Sequence, residues 1–474
     1  MSKSDQGGRP ILRIDRIVFT FLLLLVALLR PESASTLDNG LARTPPMGWN
    51  SWATYELNIN EALIRSTADA MVLSGMKDAG YEYVVVDAGW KATARDAEGR
   101  LSADPDKFPS GMKALADYVH SKGLKFGIYT DAGSEDCVAG APGSKGFEEK
   151  DASSFAAWGV DYVKEDWCNT MGMDAREAYT KMNRALLATG RPMVFSMCEW
   201  GDSQPWNWGA PIANLWRTTG DSKDCWDCGR KTMKKPGGYP RGWTLILDAQ
   251  AGLASFAGPG HWNDPDLLQV GHPGLTIEED RAQFSLWAIL AAPLMTTNDV
   301  RSMSADVHGV LTNPEVIAVD QDASGRQGTR VGSSGKGDVW MRSLRDGSRA
   351  VVLFNRSKSA KKISVRWSEI DEPESDGLFV RDLWQRRDLG IVKDGYSAVV
   401  AAHGVVMIRV SAAAIKVRIR RGYETICLLL LVCVVGSCGP SRARDGDAKA
   451  DPKRWTIQPV GGWPSVLYIG WADP

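Results

Sequence analysis

Short apolar runs alternate with helical patterns along most of the chain, starting near Leu37. After Asn60, apolar residues recur at helical spacing in EALIRSTADAMVLSGMKDAG, and the run YEYVVVDAGW then has the pattern of a strand. The same alternation of helix and strand occurs twice more, in SGMKALADYVHSKG followed by LKFGIYTDAG and in FEEKDASSFAAWG followed by VDYVKEDWC. Strands separated by helices favour a parallel sheet with helical crossovers. About eight such units in one domain are typical of a (β/α)8 TIM barrel, which we predict over residues 37–325.

The chain changes character after about Asp320. Gly and Ser accumulate in ASGRQGTRVGSSGKGD, and VWMRSL, AVVLFN, KISVRW and YSAVVAAHGVVMIRV follow. Segments of this kind, separated by turn residues, are typical of antiparallel strands. We therefore predict a C-terminal antiparallel β-sandwich over residues 326–411.

Both ends of the chain carry patterns of exported proteins. Basic residues, the apolar run Ile17–Leu29 and the small residues of PESAST predict a signal peptide over residues 1–36 and a secreted or periplasmic protein. The run is shorter than the about 20 residues that span a bilayer, although an uncleaved anchor has the same pattern. Residues 412–474 contain KVRIRRGYETICLLLLVCVVGSCG, which resembles a bacterial lipoprotein signal. Such a signal has no use late in a chain, so we predict that this tail lies outside the fold, with lipid or membrane anchoring left open.

Polar residues stand at the ends of the predicted barrel strands. In a barrel these ends meet on one face, which is the catalytic face of barrel enzymes. Polar residues without a function would also scatter among strand starts and helices. The clustering indicates an enzyme, and its members are Asn50, Asp87, Tyr129, Asp131, Lys164, Asp166, Glu199, Arg217, Asp221, Asp264, Asp266 and Asn298.

The stretch GVDYVKEDWC places three charges at the end of one predicted strand. Because side chains alternate faces, Lys164 and Asp166 share one face, and Glu165 lies on the other, where it needs a partner among the helices. The ammonium of Lys164 favours an ionised Asp166, and a positioned carboxylate is what a nucleophile requires. A buried structural Lys–Asp pair would give the same pattern, so the strand alone does not decide.

A second carboxyl group with a different protonation state is needed for acid–base catalysis. Asp221 in WRTTGD follows another predicted strand, four residues after Arg217. An acid that donates a proton and later recovers it requires a raised pKa, and a nearby guanidinium opposes this. We therefore predict that the guanidinium of Arg217 points toward the substrate and away from Asp221. Carboxyl groups about 5 Å apart give retention at the anomeric carbon, and a wider gap gives inversion.

Composition narrows the class of partner. The 474 residues carry a formal net charge of -1, without the basic excess that indicates nucleic acid. The 19 Trp residues fit either a large core or flat platforms for sugar rings. Cys225 and Cys228 form a CxxC pair, but no second pair or nearby His completes a zinc site. A local disulfide is favoured over a metal site.

Several segments, in this order along the chain, together resemble glycoside hydrolase family 27, the family of α-galactosidases and α-N-acetylgalactosaminidases. They are TPPMGWNSW, KFPSGMKALADYVHSKGLKFGIYTDAG, DYVKEDWC, CEWG, WRTTGD, GPGHWNDPDLL and LWAILAAPLMTTNDVR. The resemblance runs from about Leu37 to Val410 and depends on no single short pattern. It implies a retaining exo-glycosidase that removes terminal α-D-galactosyl residues from oligo- or polysaccharides through a covalent glycosyl-enzyme, without metal or cofactor.

Residue by residue, the resemblance makes Asp166 the nucleophile and Asp221 the acid/base. It implies a disulfide between Cys137 and Cys168 beside the nucleophile. The segment CEWG resembles the galactosidase form of the specificity segment, not the form that admits an N-acetyl group. The residues that match positions around the sugar, or that support them, are Trp49, Asp87, Tyr129, Cys137, Lys164, Glu199, Trp200, Arg217, Asp264 and Asp266.

One position departs from the family pattern. Where the family usually has two consecutive Asp residues, this chain has Asp87 followed by Ala88. The second carboxylate belongs to the end of the pocket that holds the 4- and 6-hydroxyls of the sugar, and losing such a charged hydrogen bond costs about 1.5–3 kcal/mol. A β-L-arabinopyranosidase, an α-N-acetylgalactosaminidase and a non-catalytic galactose-binding protein on the same scaffold are therefore alternatives.

Overall fold

The computed structural model describes residues 37–137, 140–229, 241–334, 337–372 and 377–412. The predicted signal peptide and the tail beyond residue 412 lie outside these ranges, and their predictions stay predictions. Within the described ranges, every helix is too short or too polar to cross a membrane.

Eight parallel strands form one curled sheet in the N-terminal part of the chain. They are β1 Met47–Asn50, β2 Tyr83–Val86, β3 Lys125–Asp131, β4 Tyr162–Asp166, β5 Val194–Cys198, β6 Leu215–Arg217, β9 Trp262–Asp264 and β10 Leu294–Thr296, and a loop contributes the short pair β7 Ser222–Lys223 and β8 Arg241–Gly242. The order in the sheet is β10-β1-β2-β3-β4-β5-β6-β9. A parallel bridge between Leu268 and Thr296 joins the segment after β9 to β10. The predicted barrel is confirmed.

Helices connect the strands, as the apolar spacing predicts. The helix expected after Asn60 begins there, because the Asn60 side chain accepts a hydrogen bond from the Leu63 amide at 2.8 Å. Its apolar stripe of Ile64, Ala68 and Met71 is completely buried. The helices are α1 Trp52–Tyr55, α2 Glu61–Leu73, α3 Gly111–Ser121, α4 Glu148–Trp158, α5 Ala175–Ala188, α6 Trp243–Ala249, α7 Ile277–Leu290, α8 Ala305–Leu311 and α9 Pro314–Asp320.

An antiparallel β-sandwich follows the barrel, as predicted. Its strands are β11 Thr329–Ser334, β12 Gly337–Ser343, β13 Arg349–Asn355, β14 Lys361–Arg366, β15 Leu378–Asp382, β16 Arg387–Val392, β17 Gly395–Val400 and β18 Val405–Ala412. One sheet has the order β11-β12-β13-β18-β15-β16, and β14 pairs with β17 in the other. Val351, Leu353, Val365 and Ile408 are among the buried side chains between them.

Helix α7 anchors the sandwich to the barrel. The Nη1 atom of Arg342 on β12 donates to the carbonyl oxygens of Ala288 at 2.9 Å and Asp320 at 3.1 Å. The indole N–H of Trp384 donates to Oγ of Ser285 at 2.9 Å. These buried polar contacts fix the sandwich against the outer layer of the barrel.

Candidate active site

Five neighbouring strands of the barrel bring several of the predicted polar residues to one rim. In the sheet register, Asp131 at the end of β3 lies opposite Asp166 of β4, and Asp166 lies opposite Cys198 of β5. Arg217 of β6 lies opposite Asp264 of β9. Since all these strands are parallel, the carboxyl ends of β3, β4, β5, β6 and β9 form a continuous edge.

Lys164 points to the same rim and is held there by a carboxylate from β2. Its Nζ atom lies 2.9 Å from Oδ2 of Asp87, and the Asn50 amide donates to the same oxygen at 2.7 Å. The Asp87 side chain is 1% exposed. The ammonium also lies 5.3 Å from the ring centroid of Tyr129. The expected face of β4 is therefore confirmed, although the direct ion pair of Lys164 is with Asp87.

Asp166 is a buried carboxyl group whose protonation several neighbours influence. Burial raises its pKa to about 6, while the charge of Lys164 and a hydrogen bond from the Cys198 thiol lower it. The carboxylates of Asp221 and Asp87 raise it further. Asp166 is therefore mainly ionised above pH 6 and protonated below.

Glu165 lies on the opposite face of β4, as the alternation predicts. Its side chain is buried, and its Oε2 atom has no hydrogen-bond partner among the described residues, so the partner expected from the helices is missing for that oxygen. Burial raises the pKa of Glu165 well above its usual range, with a further contribution from Asp131. The group is accommodated as a neutral acid, which avoids the larger cost of a buried charge.

Arg217 contacts Asp221, so the prediction that it faces away from that residue was wrong. Its Nη2 atom lies 3.0 Å from Oδ1 of Asp221 and also donates to the carbonyl oxygen of Thr219 at 3.1 Å. The turn that follows β6 folds back over the guanidinium, and this places Asp221 above it. Sequence spacing does not reveal the direction of such a turn.

Arg217 is also the charge partner of Asp266. Its Nη1 atom lies 2.9 Å from Oδ1 of Asp266, whose Oδ2 accepts from the Ser222 amide at 2.6 Å. Burial raises the pKa of Asp266 to about 7, against the opposing effect of Arg217. The Asp264 side chain accepts a hydrogen bond from the Asp266 amide at 2.8 Å and stabilises the turn that follows β9. In this turn Asp266 has a φ of 83°. Such a conformation is uncommon for a residue other than Gly.

Glu199 follows β5 and carries an unpartnered acceptor at the rim. Its Oε2 atom accepts from the Ser203 amide at 2.7 Å, but its buried Oε1 atom has no hydrogen-bond partner among the described residues. Burial raises its pKa to about 7. Trp200 next to it has a φ of 57°, and a Cβ on Gly201 would lie 2.3 Å from the Thr218 carbonyl oxygen. Gly is therefore needed where this loop packs on the loop after β6.

Trp49 and Tyr129 are as buried as core residues. The Trp49 indole donates to the Asn298 carbonyl oxygen at 2.9 Å and has no exposed surface. The Tyr129 side chain is 1% exposed, and its hydroxyl lies 3.5 Å from the Cys137 amide. The two aromatic rings are fixed parts of the rim.

The predicted disulfide between Cys137 and Cys168 is confirmed, and Cys225 pairs with Cys228. Cys198 carries a buried free thiol. Asp131, Cys137 and Cys168 lie close enough to hold a metal ion, but the two sulfur atoms are bonded to each other and are not thiolate ligands.

Sequence reasoning assigned no role to Asp131 and did not single out Lys91. Asp131 is completely buried and accepts from the amides of Gly133 at 2.7 Å and Cys168 at 2.9 Å. The buried Nζ atom of Lys91 lies 3.6 Å from Asp136 and donates to the Pro142 carbonyl oxygen at 2.9 Å. The two-residue spacing from Tyr129 was a usable signal for Asp131, whereas Lys91 lies in a loop whose path the sequence does not reveal.

Comparisons with known proteins identify the family of this chain. The profile of the family described as alpha galactosidase A matches residues 44–322, and that of the alpha galactosidase C-terminal beta sandwich domain matches residues 334–410. The chain belongs to glycoside hydrolase family 27. This glycoside hydrolase is 47% identical to alpha-galactosidase A of Cellvibrio japonicus over 383 residues, which covers 78% of this chain and 93% of that protein.

Two further relatives extend the match in sequence and in structure. Alpha-galactosidase 2 of Arabidopsis thaliana is 47% identical over 392 residues, covering 82% of this chain and 96% of the relative. The crystal structure of alpha-galactosidase I from Mortierella vinacea superimposes with a TM-score of 0.77 at 37% identity, covering 80% of this chain and 99% of that one. Both the barrel and the sandwich of this family 27 member are therefore family features.

Proposed function

We propose that this protein hydrolyses terminal α-D-galactosyl residues of oligo- or polysaccharides, with Asp166 as nucleophile and Asp221 as acid/base. The supporting observation is a chain of contacts that links the two carboxyl groups across the rim. Cys198 lies beside Asp166 in the sheet, its Sγ atom lies 3.4 Å from Nη1 of Arg217, and Arg217 contacts Asp221 at 3.0 Å. Glycosidases act with a pair of carboxyl groups around one opening, and a retaining mechanism is general to this family.

The reaction proceeds in two steps, formation of a glycosyl-enzyme and its hydrolysis. In the first, a carboxylate oxygen of Asp166 bonds to the anomeric carbon, the bond to the leaving oxygen breaks, and Asp221 gives its proton to that oxygen. In the second, water attacks the anomeric carbon, its proton goes to Asp221, and the bond to Asp166 breaks. Two inversions give net retention and restore both groups.

Buried charges and acceptors around the rim suit a sugar rich in hydroxyl groups. The Oε1 atom of Glu199 is a buried acceptor without a partner among the described side chains. A buried acceptor without a partner raises the free energy of the unliganded protein by about 1–3 kcal/mol. A substrate hydroxyl that donates to it removes this penalty, which favours binding. The Asp87–Lys164 pair and the Arg217–Asp266 pair supply further charged donors and acceptors for ring hydroxyls.

A substrate panel on the full chain tests the proposal. Aryl α-D-galactoside, aryl β-L-arabinopyranoside and aryl α-N-acetylgalactosaminide are compared by kcat/KM. We expect the α-galactoside to be the best substrate and its first product to be α-galactose. A protein that binds galactose but turns over none of the three would be a sugar-binding protein, and the proposal would fail.

Two substitutions test the roles of the carboxyl groups. Asp166→Ala should abolish turnover, and azide should restore it with formation of the β-galactosyl azide. Asp221→Ala should slow substrates with poor leaving groups by about 100- to 10,000-fold and activated aryl galactosides much less. Glu165→Gln, at a buried carboxyl on the other face of β4, is the matched control and should keep wild-type rates. Equal losses on good and poor leaving groups would exclude Asp221 as the acid.

We also propose that the protein works outside the cytoplasm. The two disulfides are typical of an oxidising compartment, and the first 36 residues have the pattern of a signal peptide. N-terminal sequencing of the mature protein tests this, because an intact Met1 on active protein from the cytoplasm would exclude export.

A further inference from the structure

We propose that Asp131 is a positioning residue, whose buried carboxyl group holds the chain that follows Asp166 and so fixes the nucleophile against the sugar. This inference rests on the proposed function, since it concerns how Asp166 is presented for attack. Asp131 does not need to touch the substrate in order to act in this way.

The first observation is the placement of Asp131 beside the nucleophile. It is the last residue of β3, is completely buried and is the register partner of Asp166 on β4. Adjacent strands lie about 4.8 Å apart, and register partners in parallel strands point to the same side of the sheet. The amide of Ala132 donates to the carbonyl oxygen of Asp166 at 3.0 Å, so the backbone ladder reaches the nucleophile and ends there.

Beyond that point, the Asp131 side chain takes the place of a strand partner. Its Oδ2 atom accepts from the amide of Cys168 at 2.9 Å, two residues after Asp166. Its Oδ1 atom accepts from the amide of Gly133 at 2.7 Å. One carboxyl group therefore ties together the two loops that leave β3 and β4, and its removal would leave two backbone amides without their acceptor, which is costly.

Other contacts converge on the same two loops. The Asn169 side chain donates to the carbonyl oxygens of Glu135 at 3.2 Å and Asp136 at 3.1 Å, and a disulfide joins Cys137 to Cys168. A Cβ atom on Gly133 would lie 1.9 Å from the Cys168 carbonyl oxygen, so the loops touch backbone to backbone. Asp131 lies at the base of this assembly, where it is the register partner of Asp166 in the sheet.

Asp131 and the nucleophile also influence each other through their charges. It faces Asp166 on β4 and Lys91 in the loop after β2, and it also interacts with Glu165 on β4. Burial and then the charge of Asp166 raise the pKa of Asp131 to about 8, against the effect of its two amide donors and Lys91. Asp131 and Asp166 therefore titrate as a coupled pair, in which burial and the nearby negative charges oppose the ionisation of both groups.

Asp131→Asn tests the proposal, because its side chain keeps an oxygen for one amide and turns an NH2 group toward the other. Wild type and variant, both as the full chain, are compared for kcat and KM on an aryl α-D-galactoside and for the Kd of galactose. We expect kcat to fall about 100-fold, as for a displacement of reacting atoms by about 1 Å, while KM and the galactose Kd stay within about threefold. Glu165→Gln is the matched control and should keep its kcat.

The outcomes separate positioning from a purely structural role. An Asp131→Asn protein with wild-type kcat, or one that loses galactose binding together with kcat, would overturn this inference. Either result would leave the proposed function in place. A wild-type protein that hydrolyses no glycoside would overturn the proposed function and this inference with it. If Asp131→Asn does not fold, Asp131→Ser, with a smaller side chain and one acceptor, is measured in the same way.

A second variant separates Asp131 from the disulfide. Cys137→Ser combined with Cys168→Ser removes the covalent link but keeps the Cys168 amide bonded to Asp131. We expect its kcat to fall less than that of Asp131→Asn. A loss as large as that of Asp131→Asn would assign the positioning to the disulfide and overturn the inference.

Discussion

The Nη2 atom of Arg217 lies 3.0 Å from Oδ1 of Asp221, and the guanidinium that makes this contact is only 4% exposed. Its other terminal nitrogen lies 2.9 Å from Oδ1 of Asp266. One buried cation thus serves two carboxyl groups from different loops. Because the guanidinium is planar and rigid, it orients both of them at once.

Arg217→Gln should therefore slow the step in which Asp221 transfers a proton to the leaving group. Without the guanidinium, Asp221 loses its anchor and Asp266 is left as a buried carboxyl without its cation. We expect kcat on a galactoside with a poor leaving group to fall at least about 100-fold, and kcat on an activated aryl galactoside to fall less. Arg100→Gln, which removes an exposed arginine, is the control and should change neither rate. Equal losses of kcat on both substrates would mean that Arg217 does not act through the acid/base step.

Much of this site could be predicted because it depends on properties of single strands. Alternation along β4 was enough to place Lys164 and Asp166 on one face and Glu165 on the other. The same reasoning placed the strand ends on one rim once the barrel was inferred. The proposed catalytic pair itself required the family resemblance, because neither strand shows alone which carboxyl groups act together.

What the sequence did not reveal depends on the paths of loops. The turn after β6 brings Asp221 over Arg217, whereas the raised pKa that an acid/base requires had led us to expect the guanidinium to point away from it. Asp131 could have been taken for a turn residue before Gly133, since Asp and Gly are common in turns. Its bond to Cys168 joins residues 37 positions apart, and only the packed loops bring these together.

Lys164 should set the pH at which the enzyme loses activity in acid. The pKa of Asp166 is about 6, and the charge of Lys164 lowers it, so the acidic limb of kcat/KM is expected near pH 6. In Lys164→Gln the stabilising charge is gone, the pKa of Asp166 rises, and the limb should move to higher pH. The measurement is the pH profile of kcat/KM on an aryl galactoside, each profile scaled to its own maximum.

Lys113→Gln is the matched control for this shift. Lys113 pairs with Asp117 on the exposed surface of α3, so its loss should leave the limb in place. A limb that stays at the wild-type pH in Lys164→Gln, or that moves to lower pH, would contradict the assignment of this ionisation to Asp166.

The enzyme should become less stable as the pH rises from 6.5 to 8.5. Burial raises the pKa of Asp266, Glu199 and Asp280 to about 7 and that of Asp131 to about 8. In the unfolded chain these groups ionise near pH 4, so in this window the folded state binds more protons. The stability that their protonated forms contribute is lost as the pH passes through the folded pKa values. The unfolding temperature, followed by calorimetry, should fall across the window.

Asp280→Asn tests this linkage away from the rim. Asp280 lies in the first turn of α7, and its Oδ1 atom has no hydrogen-bond partner among the described residues. The amide cannot ionise, so the variant should show a shallower fall in unfolding temperature than wild type. An unfolding temperature that rises with pH in the wild type would show that other groups dominate.

The two disulfides should differ in what they contribute to stability. Cys137 and Cys168 are 31 residues apart, and restricting a loop of that length in the unfolded chain stabilises the fold by about 3.7 kcal/mol. Cys225 and Cys228 are 3 residues apart, for which the same relation gives about 1.6 kcal/mol. Replacing each pair by Ser should therefore lower the unfolding temperature more for the first pair. The second pair is the matched control, and an equal or larger loss on its removal would show that loop entropy does not govern the difference.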